Sequence, residues 1–246
     1  MSSINNQLFQ GEKNMNIVGV MSSAHLEGNS ATLVRAALKG AEAEGALTTE
    51  IFLARHKIDF CLGCLRCMRE GRCPLPDDFE PLRDVLVEAD GIVFGAPTFG
   101  YAPNARMKNF LDRFGLFEFF TASLGGKHLA AISTASRPAA ARKTAAMMSR
   151  LFSGGVFKRA YVAGVMGAKA QPKGSPVDRR DLNKAEALGR KLALGIKRGR
   201  TYPWQQPIRH LTNALVMRPN FRASILKYKE DMMKGVFLNL RERGLI

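Results

Sequence analysis

The chain has 246 residues, of which 46% are hydrophobic and 24% charged, with 37 Lys/Arg against 21 Asp/Glu and a formal net charge of +16. The length fits one generous α/β domain or a domain plus an appendage, and the composition excludes a disordered chain, a collagen and a small disulfide scaffold. No run of about 18 apolar residues occurs, so no membrane-spanning helix is expected. Residues 1–14 lack the apolar core of an export signal, so the expected location is cytoplasmic. The charge is uneven. Residues 169–246 carry 18 Lys/Arg and 6 Asp/Glu, a net of +12, while the first 168 hold 19 and 15, a net of +4.

Met15–Met21 (MNIVGVM) is a short apolar run and reads as a buried strand. Asn29–Gly45 has helical spacing, with Leu33, Val34, Ala37, Leu38 and Ala41 on one face. Thr48–Leu53 is a second strand, followed by a cysteine segment and a Pro-rich turn. Phe79–Ala89 reads as a helix and Gly91–Ala96 (GIVFGA) as a third, wholly apolar strand. Asn104–Phe117 is a helix, His128–Ser133 a fourth strand, and Pro138–Phe152 a helix that opens with the Pro favoured in a first turn. Lys158–Val165 reads as strand five and Asp178–Lys197 as a helix.

Strands separated by helices imply right-handed crossovers and a parallel sheet covered on both faces. Five such units predict an α/β, flavodoxin-like, doubly wound five-stranded parallel sheet of order 2-1-3-4-5. Ligands in such folds bind beyond the carboxyl ends of the strands. Past Gly199 the pattern changes. Thr201–Pro207, with Tyr202 and Trp204, reads as a linker. Leu211–Met217 and Phe221–Leu240 read as two helices separated by Pro219. The chain therefore divides into residues 1–199, with a cysteine loop at 61–73, and a basic helical C-terminal extension, 200–246.

Three loops are candidates for binding. In Ser22–Thr32 (SSAHLEGNSAT), Ser22, Ser23, Ser30 and Thr32 supply hydroxyls, Gly28 allows close backbone approach, and Asn29–Ser30 open a helix. Hydroxyls and free N–H groups at a helix N-terminus suit a phosphate, although a plain turn with a Ser or Asn cap has the same composition. In residues 96–109 (APTFGYAPNARMKN), Pro97, Gly100 and Pro103 shape a loop in which Thr98, Phe99 and Tyr101 offer a hydroxyl and two ring faces to a planar ligand. A Pro/Gly turn with buried aromatics is the alternative. In residues 134–139 (TASRPA), Arg137 suits an anionic group, or is simply solvated.

All four cysteines lie at Cys61, Cys64, Cys67 and Cys73, spaced C-x2-C-x2-C-x5-C. A disulfide framework would tie distant segments together, which this cluster cannot do. Soft thiolates favour iron–sulfur clusters or zinc. Zinc sites usually pair two separate C-x2-C knuckles, so this spacing favours a cluster, with free or redox-paired thiols as the remaining reading. Arg66, Arg69 and Arg72 lie between the thiols and are expected to offset a cluster's negative charge.

Together these residues resemble the NAD(P)H-dependent FMN reductase superfamily of flavodoxin-like proteins and, within it, the iron–sulfur flavoproteins. The cysteine motif stands after the second strand, as in that group, and the acidic pair Asp77–Asp78 resembles the family's sequence after its last cysteine. Ser22–Ser30 matches its first FMN loop, Pro97–Tyr101 with Lys108 and Asp112–Arg113 its second loop and the helix beyond, and Thr134–Ala139 its third. The resemblance covers roughly residues 15–198. It implies an FMN held by Ser22, Ser23, His25, Gly28, Asn29, Ser30, Pro97, Thr98, Phe99, Gly100, Tyr101, Thr134, Ala135, Ser136 and Arg137. It also implies a 4Fe-4S cluster on Cys61, Cys64, Cys67 and Cys73, and a homodimer or homotetramer. His25 stands where the family often has Arg, Glu27 places a negative charge near the phosphate, and the tail after Gly199 has no counterpart in the family.

The expected function is thus an FMN-dependent oxidoreductase passing electrons between FMN and a 4Fe-4S cluster, with NAD(P)H or a ferredoxin-like protein as donor. No side chain stands out as an acid–base catalyst. One alternative is an NAD(P)H:FMN or quinone reductase without a cluster, separated by iron and sulfide analysis. Another is a cluster-containing sensor whose basic tail binds nucleic acid, with Tyr202, Trp204, Phe221 and Tyr228 available for stacking. It is disfavoured because no DNA-binding motif is present. The tail's apolar positions (Leu211, Leu215, Val216, Ile225, Leu226, Met233, Val236, Phe237 and Leu240) recur near helical spacing and are expected to pack on the body or a neighbouring subunit. A basic amphipathic pair also suits contact with an anionic membrane surface.

Overall fold

The computed structural model describes residues 14–202 and 207–246. Among these residues six strands form in chain order: β1 (Met15–Met21), β2 (Ala46–Phe52), β3 (Gly91–Phe99), β4 (Ala102–Pro103), β5 (His128–Ala135) and β6 (Tyr161–Lys169). The five long strands run parallel in the order β2-β1-β3-β5-β6. This is the expected doubly wound order once the two-residue β4 is set aside. β4 folds back antiparallel on the end of β3, pairing Thr98 with Pro103 and Phe99 with Ala102. Its turn residues, Gly100 and Tyr101, have φ of 55° and 63°, the left-handed pair that tight hairpins use.

Period-two alternation along the strands feeds two cores. Val18, Val20, Ile92, Phe94, Leu129 and Ala131 face α3 (Phe79–Glu88), α4 (Ala105–Thr121) and α5 (Pro138–Ser153). Ile17, Met21, Val93, Ala130 and Ile132 face α1 (Asn29–Glu42) and α6 (Arg179–Lys197). β3 lies between β1 and β5 and is covered on both faces, which is why its sequence is continuously apolar. α1 and α6 pack backbone against backbone. A Cβ on Gly189 would stand 1.7 Å from the Ala37 carbonyl oxygen, and one on Gly40 would stand 2.0 Å from that of Glu186.

Several boundaries differ from the sequence reading. The fifth long strand begins at Tyr161 rather than Lys158, because the Arg159 carbonyl is engaged by Gly126 N in a turn (2.8 Å). Gly115, at φ 40° and ψ −133°, kinks α4. In the extension, α7 (Pro207–Thr212) runs through a π-turn into α8 (Arg218–Lys227), and Pro219 occupies the first turn of α8 rather than separating two helices. Proline falls there directly after the π-turn, where the helical hydrogen-bond register is already irregular. The long helix expected over Phe221–Leu240 is broken between α8 and α9 (Lys234–Glu242). Ile225, Met233, Val236 and Leu240 are buried and Met217 and Phe221 pack against the same cluster, while Leu211, Leu215, Val216 and Leu226 are exposed, so the tail turns only part of its apolar residues inward. Trp204 lies outside the described residues.

Candidate functional site

The carboxyl ends of β1, β3, β5 and β6 open into a cavity of about 1440 Å³. The first loop forms one wall. Gly28 is the N-cap of α1, no side chain caps the helix, and no acidic residue stands in its first turn. The N–H groups of Asn29, Ser30 and Ala31 are therefore free of side-chain caps, at the positive end of the helix dipole. Ser23 Oγ accepts from His25 N (3.1 Å) and fixes the turn. A Cβ on Gly28 would meet Ser23 Oγ at 2.8 Å and the His25 carbonyl oxygen at 3.1 Å, so this position has no room for a side chain.

The second loop is tied to the first through Asn104, the N-cap of α4. Its Oδ1 accepts from Ser22 Oγ (2.6 Å) and its Nδ2 donates to Ser22 O (2.8 Å). Ser22 is fully buried by these bonds and lies behind the cavity wall. Arg106 donates to the same Ser22 carbonyl (3.3 Å) and lines the cavity. Ser133 Oγ donates to Ala96 O (2.7 Å) and sits 2.9 Å from Thr98 Oγ1. With its proton so used, Ser133 accepts from Thr98 and holds that hydroxyl at the wall.

Of the residues singled out in the sequence, Ser23, His25, Gly28, Asn29, Ser30, Pro97, Thr98, Phe99, Thr134, Ala135 and Ser136 line this one cavity. Gly100 and Tyr101 form the hairpin tip and Arg137 is the N-cap of α5, and none of the three is in the wall. The sequence reading missed Asn104, Arg106, Asn109 and the segment after β6, residues 170–177. That segment is fastened by a reciprocal pair, Asn29 Nδ2 donating to Gln171 O (3.0 Å) and Gln171 N to Asn29 Oδ1 (3.1 Å). The charge of Glu27 is answered by Arg35, which contacts it at 3.1 Å.

The cysteine loop shares a wall with the cavity. Leu53, His56, Ile58 and Phe60, the residues leading to Cys61, all line it. The neck of the loop is closed by the acidic pair. Asp78 Oδ2 accepts from Lys57 N (2.8 Å) and Asp77 Oδ2 from Asp59 N (2.8 Å). Arg113 on α4 grips this neck: it pairs with Asp77, both side chains being wholly buried, and donates to Asp59 O (2.8 Å) and to Cys73 Sγ (3.2 Å). Its guanidinium lies 4.6 Å from the centre of the Phe79 ring. One turn earlier, Asn109 donates to Ile58 O (2.9 Å). A single helix therefore carries Asn104 and Arg106 at the first loop, Asn109 at the cavity and Arg113 at the cysteines.

The four cysteines carry no disulfide. Cys61 and Cys64 are exposed, Cys67 and Cys73 half-buried. Burial, reinforced by the neighbouring Cys73, Cys61 and Cys64, pushes the Cys67 thiol up to about 11, so without a metal it is protonated at neutral pH. Arg66 acts electrostatically on Cys64 and Cys73, and each of the three arginines between the thiols also has a carboxylate partner. Arg66 and Arg69 pair with Glu70, and Arg72 with Asp84 and Glu80. Among the described residues no three Cys, His, Asp or Glu side chains are gathered as a site for a metal ion. A polynuclear cluster spreads its thiolates further apart than one ion does. Four unpaired soft donors acting electrostatically on one another fit such a group by their chemistry.

Among the described residues no helix is long and apolar enough to cross a membrane. Residues 15–169 match the family described as NADPH-dependent FMN reductase. An iron–sulfur flavoprotein of Methanocaldococcus jannaschii is 38% identical over 40% of this chain, a match spanning 51% of that protein. Another, from Archaeoglobus fulgidus, is 29% identical over 73% of this chain and 79% of its own length. The NAD(P)H:quinone oxidoreductase structure from Methanothermobacter marburgensis superposes with a TM-score of 0.57 at 18% identity, covering 73% of this chain and 96% of that one, which shows a shared fold. The chain belongs to the NADPH-dependent FMN reductase family of flavin-dependent oxidoreductases and is similar, within it, to iron–sulfur flavoproteins.

Proposed function

We propose that the chain passes electrons between an FMN in the cavity and a 4Fe-4S cluster on Cys61, Cys64, Cys67 and Cys73, with NAD(P)H or a ferredoxin-like protein as donor. The observation that carries this reading is the shared wall: Phe60 lines the cavity and immediately precedes Cys61. When bound, FMN exchanges electrons in pairs or singly and the cluster one at a time, so together they join two-electron to one-electron chemistry.

The remaining work falls to the protein. The uncapped N–H groups of α1, with the hydroxyls of Ser23 and Ser30, receive the phosphate. Arg106, projecting from α4 beside Ser22, supplies the cation that His25 does not provide in the Arg position of the family. Pro97, Thr98 and Phe99 on one side and Thr134, Ala135 and Ser136 on the other hold the ring system between the ends of β3 and β5. Arg113 holds the cysteine loop against the wall and places a positive charge at Cys73.

Phe60 and Phe99 at the cavity, and Leu62, Leu65 and Tyr101 next to them in the sequence, are exposed. Such apolar surface supports assembly of the chain as a homodimer or homotetramer. The test is stepwise reduction under argon with NADH, NADPH and reduced ferredoxin, with the flavin followed by absorbance and the cluster by electron paramagnetic resonance. The reading requires both centres to fill from one donor. A flavin that reduces fully while the cluster signal stays fixed would sink it.

A further inference from the structure

The C-terminal extension lies outside the matched family region, which ends at residue 169, yet it packs against the cysteine loop. α9 crosses the short helix α2 (Arg66–Glu70), which carries Cys67, at two glycines. A Cβ on Gly235 would stand 2.2 Å from Gly71 N and 3.0 Å from the carbonyl carbon of Arg69, so the two backbones touch. Gly71 is the left-handed C-cap that ends α2, with φ 78°. Beside the crossing, Met68 of α2 is 4% exposed and joins Met233, Val236 and Leu240 of the extension and Phe117 of α4 in one apolar cluster, with Cys67 packed against it.

Two arginines fix the extension in place. Arg243 donates to Thr121 O and Ala122 O at 2.7 Å each, satisfying carbonyls at the end of α4. Arg218 donates to Val156 O (3.3 Å) and Phe157 O (3.2 Å). Part of the tail's basic charge is therefore engaged by backbone carbonyls of the body.

We propose that the C-terminal extension is a built-in wall of the cysteine site. α9 holds α2 so that Cys67 stays half-buried on the protein side, and the loop opens to solvent at Cys61 and Cys64. Reagents and partners then reach the thiols from that outer side. The wall does not depend on what the thiols bind, so its test is separate from that of the cluster.

The test treats the full-length, reduced, metal-free chain with iodoacetamide and follows each cysteine by peptide mass spectrometry. In the wild type, Cys61 and Cys64 should react at least about tenfold faster than Cys67, because alkylation needs an accessible thiolate. Gly235→Leu, which forces α9 off α2, should bring Cys67 to within about threefold of Cys61. Val236→Ala opens a smaller gap in the same cluster and should raise Cys67 alone by a smaller factor. It keeps the test decisive if the leucine variant does not fold. A wild type in which Cys67 reacts as fast as Cys61 would overturn the proposal, as would a Cys67 rate that both folded variants, or Val236→Ala alone where only it folds, leave unchanged.

Discussion

Arg113→Gln removes the cation at the neck of the cysteine loop. The variant strands Asp77, whose side chain is wholly buried, and it deletes the bonds to Asp59 O and Cys73 Sγ. Removing one member of a buried ion pair costs about 3–5 kcal/mol. Asp77 keeps two backbone donors, Asp59 N at 2.8 Å and Phe79 N at 3.1 Å, which places the expected loss at the low end, about 3 kcal/mol at pH 7. The pH dependence is specific. Burial pushes the Asp77 carboxyl up, but Arg113 and the N–H groups of Asp59 and Phe79 outweigh it and hold the group below its ordinary value. A depressed folded-state value contributes stability that is present above the unfolded value of about 3.9 and is lost as pH falls through the folded one. Without Arg113 that depression is lost, so the gap between wild type and variant should narrow below about pH 4. Urea unfolding of the cofactor-free chain at pH 7 and in acid, read by circular dichroism, measures both. Adding Asp77→Asn to the variant removes the stranded charge and should return part of the loss. A loss under about 1 kcal/mol at pH 7, or a gap unchanged into acid, would refute the placement of Arg113 as the loop's buried clamp.

Three other substitutions probe separate parts of the molecule. Gly189→Ala sets a Cβ against the Ala37 carbonyl oxygen and pushes α1 and α6 apart, and it should cost about 3 kcal/mol or more in urea unfolding without changing the sheet's circular dichroism. Arg106→Ala should weaken FMN by about tenfold in fluorescence titrations while leaving riboflavin, which lacks the phosphate, within about twofold. Cys64→Ala, at an exposed position, should lower iron and sulfide in anaerobic preparations and leave the flavin content near that of the wild type.

Much of the fold is legible in the sequence because burial on both faces leaves a plain mark. The GIVFGA run could only be a covered strand, and the helix faces of α1 and α6 repeat at helical spacing. The cysteine motif is legible from spacing alone. Other features left weaker traces. β4 is two residues long and has no periodicity to detect, so the hairpin turned by Gly100 and Tyr101 does not show in the sequence. Residues 170–177 (AQPKGSPV) line the cavity with a backbone fastened to Asn29, and backbone contacts leave no side-chain signature. Arg113 is marked in the sequence only through the family resemblance, and its burial depends on Asp77, a partner 36 residues away. The break at Tyr228–Met233 is hidden because the polar run KYKED suits an exposed helix as well as a turn. Only the demand that Ile225 and Val236 meet the same apolar cluster as Phe117 requires the turn.

The central claim, that one chain holds a flavin and a cluster across a shared wall, is tested most directly by composition. The protein is purified without oxygen, its ultraviolet–visible spectrum recorded, and its FMN, iron and acid-labile sulfide measured per chain. A chain that holds both groups gives a flavin spectrum over a broad cluster absorbance, with about one FMN, about four iron and about four sulfide. FMN with neither iron nor sulfide would leave a cluster-free reductase, and protein without flavin would contradict the account altogether.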